Sequence, residues 1–209
     1  MTLNKIIRVS LLLLLVAFVA MAYGRQPLET LKPPINNILM ILKDPQYNDA
    51  CKKNLQRDKI FEIVRGLFDF PTITKLALGK YRKSFTPEQL KDLTNVFTDL
   101  LGKTYINKML SEFKDEEVLY IAEDMLTKKK AIVKTKVIRE KGEMAVNYRM
   151  HLHDGVWSVY DVKAEGVSLV KNYRTQFSQI LFKEKPEILI QKLQEKLKEQ
   201  EAKTYVPQP

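Results

Sequence analysis

The residues best placed to do chemistry gather around one short stretch. In "YDVKAEGVSLV", Tyr160 to Val170, a strand-like run ends in an acidic residue, a glycine and a serine and passes at once into a helix-like segment. Ser168 there has two readings: a nucleophile at a strand-to-helix turn, or the N-cap of the helix that follows. A nucleophile elbow requires G-x-S-x-G, because the glycines let the strained turn pack closely. Gly166 and Ser168 are present, but Val170 stands where the second glycine belongs. The two histidines, His151 and His153, both precede the serine, contrary to the chain order of that fold. Ser168 is therefore read as a helix cap and no catalytic residue is assigned. An enzyme acting on an apolar substrate would need paired titratable groups. Asp161 and Glu165 are the strand-end carboxylates on offer, and they share a face only if the strand stays regular.

Other chemical signals are weaker. "HLH" puts two imidazoles on one face of a strand, the spacing that could begin a metal site. With Tyr148, Met150 and Leu152 facing a core, both histidines would face solvent, and no third ligand completes a closed site, so neither a metal nor a cofactor is expected. "LGKYRKS" lacks the upstream glycine and the Ser/Thr of a phosphate loop. The run "KKKAIVKTKVIREK" is strongly basic, but it lacks the aromatics of a nucleic-acid platform and sits in a chain that reads as exported; nucleic acid is not an expected partner. A solvated sheet face accounts for most of these lysines, with attraction to an anionic headgroup, membrane or acidic partner surface as the remainder.

The elements that must position any site begin after a leader. Lys5 and Arg8 precede an apolar run from Val9 to Ala20, followed by "AMAYG" with the small residues of an A-x-A cleavage site. Residues 1–22 are read as a secretory signal peptide, cleaved after Ala22 or after Gly24, and residues 23–209 as one soluble exported domain. Losing the leader removes two cations and no anion, so the formal charge falls from +10 to about +8, still basic. The single Cys51 cannot form an intramolecular disulfide, so the core must suffice without such staples. In a helical stretch it is most simply a small buried apolar group.

Helical periodicity predicts helices at about 28–43, 48–69, 71–79 and 86–113. The last has the clearest start: Thr86 as N-cap, Pro87 at the first position and Gln89 completing a capping box. Its apolar surface is too broad for a two-position seam, so more than one side must be covered. From Glu117 the period changes to two, predicting antiparallel strands at about 117–124, 130–139, 143–152 and 156–164, with Gly142 and Gly155 in the hairpin turns. Helices at about 168–183 and 186–203 follow, the second opening on Pro186 and ending in a Lys/Glu-rich stretch and a disordered tail, "YVPQP". The fold class is α+β, with helices packed on one face of a four-stranded antiparallel sheet.

Three segments in order resemble the MlaC family, also called toluene-tolerance auxiliary proteins. They are "FDFPTITKLALGKYRKSFTPEQLKDLTNVFTDLLGKTY" from Phe68 to Tyr105, the strand pair ending in "VNYRM", and "GVWSVYDVKAEGVSLVKNYRTQFSQIL" from Gly155 to Leu181. In the third, Trp157, Tyr160, Asp161, Glu165, Gly166, Val167, Ser168 and Arg174 fall where the family has them. With the leader, the resemblance covers nearly the whole chain; the Lys/Glu-rich end from Glu187 to Pro209 lies beyond the pattern. The resemblance implies a periplasmic shuttle that binds a phospholipid. It would carry that lipid between an outer-membrane lipoprotein–porin complex and an inner-membrane ABC transporter bearing an MCE-domain protein, maintaining outer-membrane lipid asymmetry. A sister branch is associated with hopanoids, so a hopanoid or other apolar lipid is the alternative cargo. We expect the protein to act as a monomer.

A two-chain lipid carries some 30 methylenes, roughly 25 kcal/mol out of water at ~0.8 each, but a bilayer already shelters them. The protein must therefore supply a dry, chain-shaped cavity, and the 86–113 helix facing the sheet is its natural wall. The expected lining is Phe97, Leu101, Tyr105, Val137, Val146, Tyr148, Tyr160 and Leu169, each of which could equally be ordinary core. Gly166, Val167 and Ser168 are the expected rim or partner contact. An adaptor that binds a partner through the stripe Leu189, Ile190, Leu193 and Leu197 is the remaining alternative.

Overall fold

The computed structural model describes residues 26–204. The leader with its cleavage positions and the tail "YVPQP" lie outside the described residues. Among the described residues six α-helices accompany one sheet: α1 (Pro27–Lys43), α2 (Lys53–Leu67), α3 (Phe70–Leu78), α4 (Pro87–Glu112), α5 (Leu169–Leu181) and α6 (Pro186–Thr204). None is long and apolar enough to cross a membrane.

The sequence signals act where expected. Thr86 Oγ1 accepts from the Gln89 amide at 3.1 Å while Gln89 Oε1 accepts from the Thr86 amide at 2.9 Å, so the capping box sets the start of α4. The expected helix from residue 48 begins later. Asp44 and Asp49 side chains accept from the amides of Gln46 and Cys51, both at 2.9 Å. These local bonds hold two short 3-10 turns, Pro45–Asn48 and Ala50–Lys52, ahead of α2. Cys51 falls in the second of these and is exposed, which corrects its reading as a buried group.

The sheet is an antiparallel meander in chain order: β1 (Glu117–Thr127), β2 (Lys130–Arg139), β3 (Gly142–His153), β4 (Val156–Ala164) and β5 (Val167–Ser168). It has five strands rather than four. Asp154 (φ 49°) and Gly155 (φ 80°) join the paired His153 and Val156, and Glu165 (φ 48°) and Gly166 (φ 84°) join the paired Ala164 and Val167. Both are two-residue hairpins with positive φ at each central position, the turn whose twist matches paired strands. "AEGV" therefore reverses the chain into a fifth strand before the helix begins. Two residues are too few to show a period, which is why the sequence did not reveal it.

The helices pack on the inner face of the sheet. Leu31 of α1 and Leu67 of α2 meet Ala131, Val133, Met150, Trp157 and Val159. A second, helical core joins α3, α4, α5 and α6 around Phe97, whose ring meets Tyr173 and Phe177 edge-on at 4.8 and 5.0 Å. Leu189 and Leu193 of α6 are buried there, with Ile190 and Leu197 packed against them. Gln200 of α6 donates to Thr104 at 2.8 Å, and Lys103 pairs with Glu201. The stripe that could have recruited a partner is thus occupied by the back of α4, and the adaptor reading loses its surface.

Candidate ligand-binding cavity

The front of α4 is not closed by the sheet. Between them lies a cavity of about 340 Å³, at the lower end of the ~300–1,000 Å³ typical of ligand clefts. Leu101, Gly102, Tyr105, Ile106 and Met109 line it from α4; their spacing of three and four residues makes them one helical stripe. Tyr148 and its cross-strand partner Val162 form the opposite wall with Ala164. Ile35 and Ile38 of α1, Val64 of α2, and Phe68, Phe70 and Ile73 at the start of α3 close the sides. Val167, Leu169 and Asn172 complete the lining where β5 runs into α5. Apart from Tyr105, Tyr148 and Asn172, every lining residue is apolar or glycine.

Those polar groups set the electrostatics. Burial pushes the Tyr148 hydroxyl far above the ordinary phenol range, and the nearby Tyr120 adds to the shift. Tyr120, raised to about 12 by burial, donates from its hydroxyl to Asn36 Oδ1 at 3.1 Å. Tyr105 shares a hydrogen bond with Tyr173, and burial raises both hydroxyls. All four phenols stay neutral at any physiological pH, so the cavity offers hydroxyl groups and no charge. Such a lining shelters hydrocarbon and can donate a few hydrogen bonds; it holds no titratable pair suited to acid–base work.

The structure gathers Leu101, Tyr105, Tyr148, Leu169 and Val167 around this space and places the other expected residues elsewhere. Phe97 lies one turn before Leu101 and is wholly buried in the helical core. Val137 and Val146 lie on β2 and β3 outside the lining. Tyr160 is turned away by a β-bulge: Arg149 pairs with Asp161 and Met150 with Val159, leaving Tyr160 unpaired. Val162 takes the cavity-facing place, while the Tyr160 ring meets His151 at 5.3 Å. Gly166 and Ser168 flank Val167 without lining the cavity. Asn172 and the α1 and α3 residues were not legible, although the α4 stripe from Leu101 and Tyr105 pointed on to Met109 by spacing alone.

The candidate chemical groups have structural roles. Asp161 is buried; its Oδ2 accepts from Ser168 Oγ at 2.7 Å and its Oδ1 from the Val170 amide at 3.0 Å. Ser168 Oγ in turn accepts from the Lys171 amide at 3.1 Å, as an N-cap should. Glu165 accepts from the Ala145 amide at 2.9 Å. Neither carboxylate lines the cavity. His151 does not face open solvent, contrary to expectation: its Nε2 is buried 2.9 Å from Asp69 Oδ2. Asp69 reaches it because the chain before α3 joins the edge of β4, with the Asp69 amide donating to the Val159 carbonyl at 2.8 Å. Among the described residues no three His, Cys, Asp or Glu side chains are grouped to hold a metal ion.

Comparison with known proteins places this geometry. The family model for MlaC protein matches residues 33–195. The toluene tolerance protein ttg2D of Pseudomonas putida is 27% identical over 177 residues, 83% of this chain and 82% of that protein. The fold is shared with the phospholipid-binding protein of Ralstonia solanacearum, whose structure was solved in complex with a phospholipid. That likeness has a TM-score of 0.73 at 24% identity and covers 84% of this chain and 99% of that one.

Proposed function

The chain belongs to the MlaC family, and from that premise we propose that its cavity holds the acyl chains of a phospholipid. The observation that carries this reading is the cavity's lining: hydrocarbon on every side, two neutral hydroxyls and one amide, and no charge. Leu101, Tyr105, Tyr148 and Leu169 are the lipid contacts of the reading, and Val167 its rim. Val167 is 64% exposed and also lines the cavity, so it stands where inside meets outside.

The protein so read is a periplasmic carrier that moves phospholipid between an outer-membrane lipoprotein–porin complex and an inner-membrane ABC transporter with an MCE-domain protein. A neutral apolar site shifts lipid only as far as its partners' affinities differ, so direction is imposed by the partners. The test is native mass spectrometry of protein expressed from the full chain and purified from the periplasm, followed by lipid extraction. The expected result is bound phospholipid; protein that leaves the periplasm with no lipid would overturn the reading.

A further inference from the structure

A second concavity, of about 730 Å³, lies between the 3-10 turn Gly79–Ser84 and the C-terminal half of α5. Lys80, Arg174 and Lys183 line it and no acidic side chain does. Arg174 is fixed in this wall because its Nε donates to the Leu76 carbonyl at 2.8 Å. Arg82 and Lys83 are exposed on the same turn, and Lys185 is exposed two residues beyond Lys183, with the exposed acid Glu184 between them. Among the described residues none of these six cations forms an ion pair. On the sheet, by contrast, Lys134 pairs with Asp124 at 2.5 Å and Lys136 with Glu143 at 2.6 Å, although Lys130 and Lys163 form no ion pair among the described residues. Phe182 also lines the groove, and at 78% exposure it is the most exposed of the large apolar side chains described.

We propose that this patch docks the protein on the surface of an anionic lipid bilayer, with Phe182 entering the headgroup region and the cations meeting phosphates. Uncompensated like charges repel one another and favour an anionic counter-surface. One aromatic ring among cations is the composition of an interfacial anchor. A protein interface would ask for more: roughly 800 Å² from each partner around an apolar centre, whereas a single large apolar side chain is exposed in this groove. The contact is peripheral, since no described helix crosses a membrane. It rests on the patch alone and not on what the cavity holds.

Flotation with vesicles tests it. Each variant is expressed from the full chain, purified after export and floated with phosphatidylcholine vesicles with and without phosphatidylglycerol. Binding should require phosphatidylglycerol and weaken with salt. Lys80→Glu with Lys183→Glu should lower affinity roughly 30-fold or more, at about fivefold for each cation lost near an anionic surface. Phe182→Ser should lower it several-fold at unchanged net charge. Lys128→Glu with Lys130→Glu, the same charge change at the β1–β2 hairpin, should cost less than about threefold. Absence of wild-type binding would overturn the proposal, as would equal losses from the two charge-reversed pairs. Binding of a polyglutamate peptide without binding of vesicles would assign the patch to an acidic protein instead.

Discussion

Phe61 of α2 packs so closely on Gly102 of α4 that a β-carbon at position 102 would sit 2.2 Å from Phe61 Cε2. Gly102 also lines the cavity, so the missing side chain lets two helices approach beside it. Gly102→Ala gains about 1 kcal/mol in helix propensity but forces the ring aside at an overpacking cost of about 1–3 kcal/mol. We expect a net loss of about 1 kcal/mol in urea denaturation. A more stable variant would show that the ring moves freely.

Val167 is expected to decide lipid entry without deciding the fold. Because it is 64% exposed, Val167→Glu should change stability by less than about 0.5 kcal/mol, as surface substitutions do. A carboxylate at the edge of an apolar cavity should nevertheless strip bound lipid, read as loss of phospholipid in native mass spectra. Full lipid occupancy with an intact fold would move the rim elsewhere.

Ser168→Ala separates architecture from catalysis. The substitution removes the cap on the Lys171 amide and one of the bonds that Asp161 accepts. Capping loss costs about 1 kcal/mol, and leaving a buried carboxylate one bond short adds to it. The expected variant is less stable by about 1–2 kcal/mol but carries its lipid undiminished. Undiminished stability would show that the cap contributes nothing.

Asp69 ties stability to acid. Burial pushes its carboxyl up, but the hydroxyl and amide of Thr72 and the contact with His151 outweigh that and hold it below its ordinary value of 3.8. A carboxyl depressed in the folded state adds stability above the unfolded value, and that stability is lost as pH falls through the folded one. Asp69→Asn should therefore be less stable than wild type at neutral pH, and the gap should close as the pH is lowered below 3.8. A gap that stays constant through that range would remove Asp69 as the source. Asn caps a helix about as well as Asp, so the start of α3 is kept in this variant and the comparison isolates the charge.

Legibility followed the range of the forces involved. The capping box at Thr86 and the cap at Ser168 use partners three residues apart, so their spacing could be read directly. Leu101 and Tyr105 share a helix face by spacing, and Tyr148 follows from strand alternation. Tyr160 failed for a definite reason, because one extra residue on β4 inverts the alternation on which its placement relied. Phe97 failed for another: periodicity marks a buried face but does not say whether helices or an open cavity will meet it.

The sequence by itself determined the order of the six helices and four long strands, the α+β class, the caps and the family resemblance, since each rests on local chemistry or on a pattern along the chain. Only the tertiary structure decided that α6 covers the back of α4, that Ile35, Phe70 and Asn172 converge on its front, and that Asp69 meets His151. Those contacts join residues far apart in sequence, whose meeting depends on bulge, register and helix packing together. A cavity in particular is a place where packing stops short, and no single residue encodes that.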